Sequence, residues 1–183
     1  RAIVAPYVVD ARLCISYLTI ELRGPIPREL RPMIGSRIFG CDDCQDVCPW
    51  NRFATPSDED QFYPADGNQV PVLTELMRLT QDQFEERFRH SAVRRAKYAG
   101  FLRNVAVALG NSRDAGATKV LAQALEHEEP LVRAHVAWAL GEIGGEDCYR
   151  ALQESLKRET DPAVLEEIRA ASKICETFET APA

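Results

Sequence analysis

Apolar residues return with a helical rhythm through the second half of the chain. Val105-Ala106-Val107-Ala108-Leu109-Gly110 matches Val136-Ala137-Trp138-Ala139-Leu140-Gly141 at an offset of 31, and Leu121 and Leu125 match Leu152 and Leu156 at the same offset. Glu129-Pro130-Leu131-Val132 pairs with Asp161-Pro162-Ala163-Val164 at 32. Each unit predicts two short amphipathic helices, opened by proline at the first helical position and closed by glycine after an Ala-Leu end. Such a helix pair cannot bury its face alone and stacks on its neighbours, so a short HEAT-like α-solenoid is predicted from about residue 91. Cys175 is expected on its apolar face with Val164, Ile168 and Ile174, and Cys148 near a helix start; a structural role is favoured for both.

Upstream the pattern is different. Ala2 to Val9 is β-branched and interrupted by Pro6, which reads as a short strand or extended edge piece. Asp10 is placed to cap a helix predicted over Ala11 to Leu22, with Ile15, Leu18 and Leu22 on one face and Cys14 beside them. Gly24-Pro25-Ile26-Pro27 ends that helix, and Arg28-Glu29-Leu30 predicts one further turn before Pro32. Residues 54–71 are rich in proline, acids and small polar residues and predict a linker or long surface loop. Beyond it, Thr80 and Gln83 have the spacing of a capping box ahead of Phe84 and Phe88.

Composition narrows the class. The 183 residues are 45% hydrophobic and 27% charged, ordinary for a globular protein able to bury a core. No apolar run approaches the roughly 20 residues of a membrane span, and the opening residues lack the pattern of a signal peptide. Six cysteines, four of them within the first fifty residues, point to metal chemistry in a reducing compartment, hence the cytoplasm, rather than to secreted disulfides. The net charge of −6 falls entirely after residue 103, because 14 basic residues balance 14 acidic ones before it. A basic, nucleic-acid-binding surface therefore has to be local. The chain opens at Arg1 straight into an apolar stretch and is expected to be a fragment whose missing N-terminal part matters for function.

The chemistry concentrates in Gly40-Cys41-Asp42-Asp43-Cys44-Gln45-Asp46-Val47-Cys48-Pro49-Trp50. The bacterial ferredoxin run is C-x2-C-x2-C-x3-C-P, and this stretch holds its last three cysteines and its proline. Short gaps let one tight turn aim successive thiolates at neighbouring irons, while the longer gap and Pro49 carry the chain out so that Cys48 faces elsewhere. Ile38 stands where the first cysteine of the run would be, and Cys14, the other cysteine of the module, is the candidate for the missing ligand; the alternative is a buried helix cysteine. Zinc is the competing metal. Its sites use two separated cysteine pairs or histidines at close spacing, and His90, His127 and His135 lie far downstream without it.

Arg87, Arg89, Arg94, Arg95, Lys97 and Arg103 form a run with no acid among them, interleaved with His90 and Tyr98. Arginine forks suit phosphate oxygens and an aromatic ring can stack on a base, so a nucleic-acid contact is expected; a solvated helix face is the plain alternative.

Three stretches together resemble epoxyqueuosine reductase: Leu13-Cys14-Ile15-Ser16-Tyr17-Leu18-Thr19-Ile20-Glu21, Ile38-Phe39-Gly40-Cys41 on to Pro49-Trp50-Asn51, and Phe101-Leu102-Arg103-Asn104 ahead of the repeats. The cysteine run alone is less specific, since reductive dehalogenases share a similar arrangement. The resemblance implies removal of the epoxide oxygen of epoxyqueuosine at a tRNA wobble position, with electrons passing through two [4Fe-4S] clusters to cobalamin. It implies that Cys14, Cys41 and Cys44 hold the cluster nearer cobalamin, while Cys48 completes the other, whose remaining ligands lie upstream. Leu13, Cys41 and Asp42 are then expected against the corrin; Ser16, Thr19, Arg94, Arg95, Lys97 and Arg103 against the tRNA anticodon stem-loop. The catalytic acid is expected upstream of Arg1, so the fragment by itself is expected to be inactive.

The organisation predicted is mainly α: a ferredoxin-like iron–sulfur module over 1–53, truncated at its N-terminus, a linker over 54–71, and a helical HEAT-like domain over 72–183. A monomer with an electron donor and a tRNA as partners, and no membrane, is expected. Two other readings stay open: a cobalamin- or ferredoxin-type reductase of a small molecule, and a HEAT-type binding module with a structural metal site.

Overall fold

The computed structural model describes residues 2–59, 63 and 67–179, with side chains described through residue 176, so 60–62 and 64–66 of the expected linker lie outside the described residues. Chain order runs from a two-stranded antiparallel hairpin, β1 (Ile3–Ala5) and β2 (Val8–Val9), through a series of short turns to the long helices. Tyr7, at the hairpin's bend, has φ 63°. The short helices are α1 (Arg31–Ile34), α2 (Asp43–Asp46), α3 (Leu73–Leu76) and α4 (Gln81–Arg87). Pro32 sits in the first turn of α1, where its missing N–H has no partner to lose. Thr80 and Gln83 close the capping box at the start of α4, the hydroxyl accepting from Gln83 N and the Gln83 side chain accepting from Thr80 N.

The repeats follow as α5 (Tyr98–Ser112), α6 (Thr118–Ala124), α7 (Pro130–Ile143), α8 (Glu146–Leu156) and α9 (Pro162–Glu179). Helix α7 packs between α5 and α9, while α6 and α8 form a second layer against them. In α5 every residue from Gly100 to Gly110 is buried, and in α7 nearly the whole span from Val132 to Gly141 is. A helix apolar all round is a central helix, enclosed by neighbours on every side. Gly110 and Gly141 are not helix ends, as the sequence pattern suggests. They lie inside α5 and α7, and a Cβ added at Gly110 would come within 2.8 Å of the Ala139 Cα and the Trp138 ring. At Gly141 it would come within 2.8 Å of the Ala171 Cβ and 2.9 Å of its Cα. These glycines let consecutive helices touch backbone to backbone. On α9 the buried row is Val164, Ile168, Ala171 and Cys175; Ile174, expected on that face, is 38% exposed.

The N-terminal part shares this core: Leu18, Ile26 and Ile34 join the same buried cluster as the solenoid residues. Polar side chains rivet it down. The buried His135 accepts from Ile26 N at 3.1 Å through Nε2, and its Nδ1 lies 2.8 Å from Leu131 O. Arg31, also buried, donates to Ile26 O at 2.9 Å and to both Glu167 carboxylate oxygens of α9 at 2.8 and 3.2 Å.

Candidate metal centre and basic face

Cys14 stands at a break. Asp10 Oδ1 accepts from Arg12 N at 3.0 Å and caps a single 3-10 turn, Ala11–Leu13. Cys14 then turns extended (φ −79°, ψ 125°), and the chain winds on as a π-helix over Tyr17–Glu21. The continuous helix expected over Ala11 to Leu22 is therefore interrupted at its cysteine. The wide coil leaves carbonyls without helical partners, and side chains supply them. Thr19 Oγ1 donates to Ile15 O at 2.8 Å, and Arg103 donates to Leu18 O at 2.7 Å, Leu22 O at 2.9 Å and Gly24 O at 2.7 Å.

The second segment enters through Gly40, whose φ of +74° belongs to the left-handed region that favours glycine. Cys41 precedes α2, Cys44 lies within it, and Cys48 N donates to Gln45 O at 3.0 Å before Pro49 opens the 3-10 turn Pro49–Phe53. Asn51 Nδ2 also donates to Gln45 O. The chain leaves the turn at Cys48 as the x3 gap implies.

Two contacts sew the cysteine segments together. Ser16 Oγ donates to Cys41 O at 3.2 Å, and Gly40 N donates to Thr19 Oγ1 at 2.9 Å. Asn104 of α5 bridges them from behind, with Nδ2 donating to Thr19 O at 2.7 Å and Ile38 O at 2.9 Å. All four cysteine thiols are free; Cys44 is exposed and Cys14, Cys41 and Cys48 are half-buried. Arg37 donates to Asp43 Oδ1 at 2.6 Å, and its guanidinium proton is held more tightly by Asp43 first and by the nearby Cys41 thiol as well.

Thiols at C-x2-C-x3-C with a further thiol on an adjoining segment fit a cubane cluster, which takes one thiolate at each iron. Among the described residues no three of His, Cys, Asp or Glu are placed to hold one metal ion, so the preference for a cluster over zinc rests on the cysteine spacing and donor chemistry. Leu13 and Asp42, expected against a corrin, are both exposed beside the cysteines, and Val47, Trp50 and Phe53 continue that exposed surface.

The residues expected to face tRNA divide. Arg94, Arg95 and Lys97 are exposed and, with Arg89, line a polar cleft of about 500 Å³. Acids from elsewhere in the chain temper it: Glu86 pairs with Arg89, Glu85 lies 4.0 Å from Arg94, and Glu21 pairs with Arg95. Arg103 does not belong there. It is fully buried, and all five of its N–H donors are occupied, three by the carbonyls above and two by Asn104 Oδ1 at 3.1 and 2.9 Å. No donor is left for a phosphate. Burial, with Arg23 nearby, lowers its pKa to about 10 and leaves it charged at neutral pH. Thr19 is likewise enclosed, its hydroxyl occupied by Ile15 O and Gly40 N, so its side chain is a link between segments rather than a nucleic-acid contact. Ser16 stays half-buried between the two cysteine segments. Sequence reasoning missed Arg37 and Asn104. The second had a signal, a polar residue that with Arg103 interrupts the apolar run from Phe101 to Leu109 and so has to be buried and partnered.

Comparison with known proteins follows this division. Residues 1–51 match a 4Fe-4S double cluster binding domain, and residues 92–173 match HEAT repeats. An epoxyqueuosine reductase of Burkholderia pseudomallei (strain K96243) is 51% identical over 152 residues, 76% of this chain and 37% of that protein. One from Escherichia coli (strain K12) is 48% identical over 141 residues, 77% of this chain and 37% of that protein. Among solved structures, an epoxyqueuosine reductase with an epoxyqueuosine-modified tRNA-Tyr stem loop superposes with TM-score 0.89 at 31% identity, over 96% of this chain and 47% of that one. The Bacillus subtilis enzyme superposes with TM-score 0.88 at 32% identity, over 94% and 46%. The chain thus spans 37% of the length of these curated relatives and just under half of these solved structures. These likenesses bear out the resemblance to epoxyqueuosine reductase and the mainly α reading of an iron–sulfur module followed by HEAT-like repeats.

Proposed function

We propose, with kinship to the epoxyqueuosine reductases as the premise, that this chain is the cluster-holding and tRNA-gripping part of an enzyme that reduces epoxyqueuosine to queuosine at a tRNA wobble position. The observation that carries it is the suturing of the Cys14 segment to the Cys41 segment by Ser16, Thr19 and Asn104, within the residues that match a double-cluster domain. On this reading 1–53 is the cluster module, 54–71 a linker and 72–183 the helical domain. Cys14, Cys41 and Cys44 are ligands of one [4Fe-4S] cluster, and Cys48 serves a second whose other ligands lie outside this chain. Cysteine-ligated clusters supply one-electron transfer at low potential. The chain's own contribution is to present the thiolates, to place the Arg37 cation beside Cys41, and to cover the back of the cage with α5.

Leu13, Cys41 and Asp42 form the surface offered to cobalamin; the exposure of Leu13 and Asp42, each next to a half-buried cysteine, supports that placement. Arg94, Arg95 and Lys97 face the anticodon stem-loop, with Ser16 at the edge of the approach. No described helix is long and apolar enough to cross a membrane. A monomer in the cytoplasm, fed by a separate electron donor, completes the proposal.

The test is the full-length protein purified without oxygen. Iron and acid-labile sulfide with absorbance near ~400 nm and a gel shift with an anticodon stem-loop are expected. Arg94→Glu with Arg95→Glu should weaken that binding at least tenfold and flatten its salt dependence, since each phosphate contact contributes a slope near −0.9 in duplex or about −0.7 in single strands. Colourless, iron-free protein would end the cluster reading, and unchanged affinity would end the basic-face reading.

A further inference from the structure

Helix α5 carries two asparagines two turns apart, and both reach toward the N-terminal part. Each donates its Nδ2 amide to two backbone carbonyls at once. Asn104 takes Thr19 O at 2.7 Å and Ile38 O at 2.9 Å; Asn111 takes Arg31 O and Gly35 O, both at 2.9 Å. An amide has two N–H donors, so each asparagine is fully used.

The difference lies in what those carbonyls belong to. Arg31 and Gly35 bracket α1, which carries no cysteine. Thr19 and Ile38 belong to the two segments that carry Cys14 and Cys41, which meet again at Ser16–Cys41 and Thr19–Gly40. Arg103 fixes the Asn104 amide by donating to its Oδ1 from Nε and Nη2, so the amide cannot turn over without losing both bonds. From its middle, α5 thus clamps together the two segments that carry Cys14 and Cys41.

We propose that Asn104 is a positioning residue for that cage: it sets the separation of the Cys14 and Cys41 segments, whereas Asn111 only anchors α1. This rests on the reading that these cysteines hold a cluster. Loss of a group that orients metal ligands without touching the metal typically costs about 10–100-fold in metal affinity, and cluster potentials respond to hydrogen bonding and solvent at the sulfurs.

The full-length protein, purified anaerobically, is compared with Asn104→Ala and Asn111→Ala. Thermal stability, the rate of iron release to a chelator, and the EPR spectrum and midpoint potential of the reduced cluster are measured. Both variants should lose stability, Asn104→Ala the more, because each strands two carbonyls and Asn104→Ala also leaves two Arg103 N–H groups without their acceptor. Asn104→Ala alone should release iron roughly tenfold faster and show a displaced EPR signal and potential. Ser16→Ala, a milder cut at the same seam, should move these readouts in the same direction by less, and it decides the matter if Asn104→Ala does not fold. Iron-free wild type would sink the cluster reading and this inference with it. A wild type that holds its cluster, beside variants with unaltered release and spectrum or an Asn111→Ala that shifts them as much as Asn104→Ala, would overturn the positioning role alone.

Discussion

The two halves of the molecule are held by different kinds of force. From α5 to α9 the chain builds its own core, with central helices buried on all sides and two glycines that bring α5 against α7 and α7 against α9 in backbone contact. Residues 2–53 have one hairpin, several single turns and an interrupted π-helix, and Val47, Trp50 and Phe53 stay exposed. What fixes this half is a set of side chains lent by the other. Arg103, Asn104 and Asn111 of α5, His135 of α7 and Glu167 of α9 bond to its backbone or to its buried Arg31. A segment that keeps four thiols outside the buried core cannot also close a full apolar core. Polar rivets let it be rigid without one, because a buried carbonyl with a single good donor has few other arrangements open to it.

The largest effect should come from removing the main rivet. Arg103→Met keeps much of the apolar stem but leaves the carbonyls of Leu18, Leu22 and Gly24 and the Asn104 Oδ1 without their donor. A buried polar group without a partner costs about 1–3 kcal/mol, and part of that is recovered where water enters, so a loss of about 4 kcal/mol is expected. Hydrogen exchange should locate the loosening at residues 14–24 while the amides of α7 to α9 stay protected. Uniform loosening of every helix would show that the two halves do not differ in the way described.

A smaller effect tests the other side of the comparison. Gly141→Ala should gain up to about 1 kcal/mol of helix propensity. It also forces a methyl to 2.8 Å from the Ala171 Cβ and 2.9 Å from its Cα, and backbone cannot step aside as a flexible side chain can. Overpacking of this kind costs about 1–3 kcal/mol, so the clash wins and a net loss of about 1–2 kcal/mol is expected in denaturant unfolding. Gly24→Ala, with nothing within 4 Å, should be close to neutral. A stabilised Gly141→Ala would mean that α7 and α9 yield where the packing says they cannot.

The same contrast explains what could be read in advance. The repeats were legible because their apolar positions recur at one offset, and a solenoid is made of that recurrence. The cysteine run was legible because ligand spacing is local. The π-helix and its break at Cys14 were not, because the sequence there offers helical spacing and the departure depends on Thr19 and on Arg103, more than eighty residues away. Arg103 was misread for the complementary reason. By charge it belongs with Arg94 and Arg95, but by position it falls between Leu102 and Val105 in a helix buried on all sides. Gly110 and Gly141 were misread as helix ends because glycine after Ala-Leu has two meanings, a left-handed cap or a close crossing, and only the neighbour decides.

The smallest effect concerns the rivet that responds to acid. His135 is neutral in the fold, with Nδ1 toward Leu131 O and Nε2 accepting from Ile26 N. Burial above all, with the nearby Arg31 and then Arg103, lowers its pKa to about 3, whereas Leu131 and Ile26 pull weakly the other way. An unfolded chain titrates the same ring near its ordinary value of about 6.5. Above that value both states are neutral and the stability is fully present. Below it the unfolded state takes a proton that the fold refuses, so stability falls by up to about 1.4 kcal/mol per pH unit until the folded pKa is reached. His127, also lowered chiefly by burial, adds in the same direction. Glu159, held at about 2 chiefly by its bond to Arg133, adds a loss only below the ordinary carboxylate range. The window from pH 6.5 to 5 therefore isolates the histidines, and a loss of about 1.5 kcal/mol is expected across it. His135→Gln keeps a side-chain acceptor for Ile26 N but no titratable ring, so it should be less stable than wild type at pH 7.5 and lose less between pH 6.5 and 5, the remaining slope coming from His127. Parallel pH profiles for the two proteins would show that the N-terminal half is not fastened through this ring.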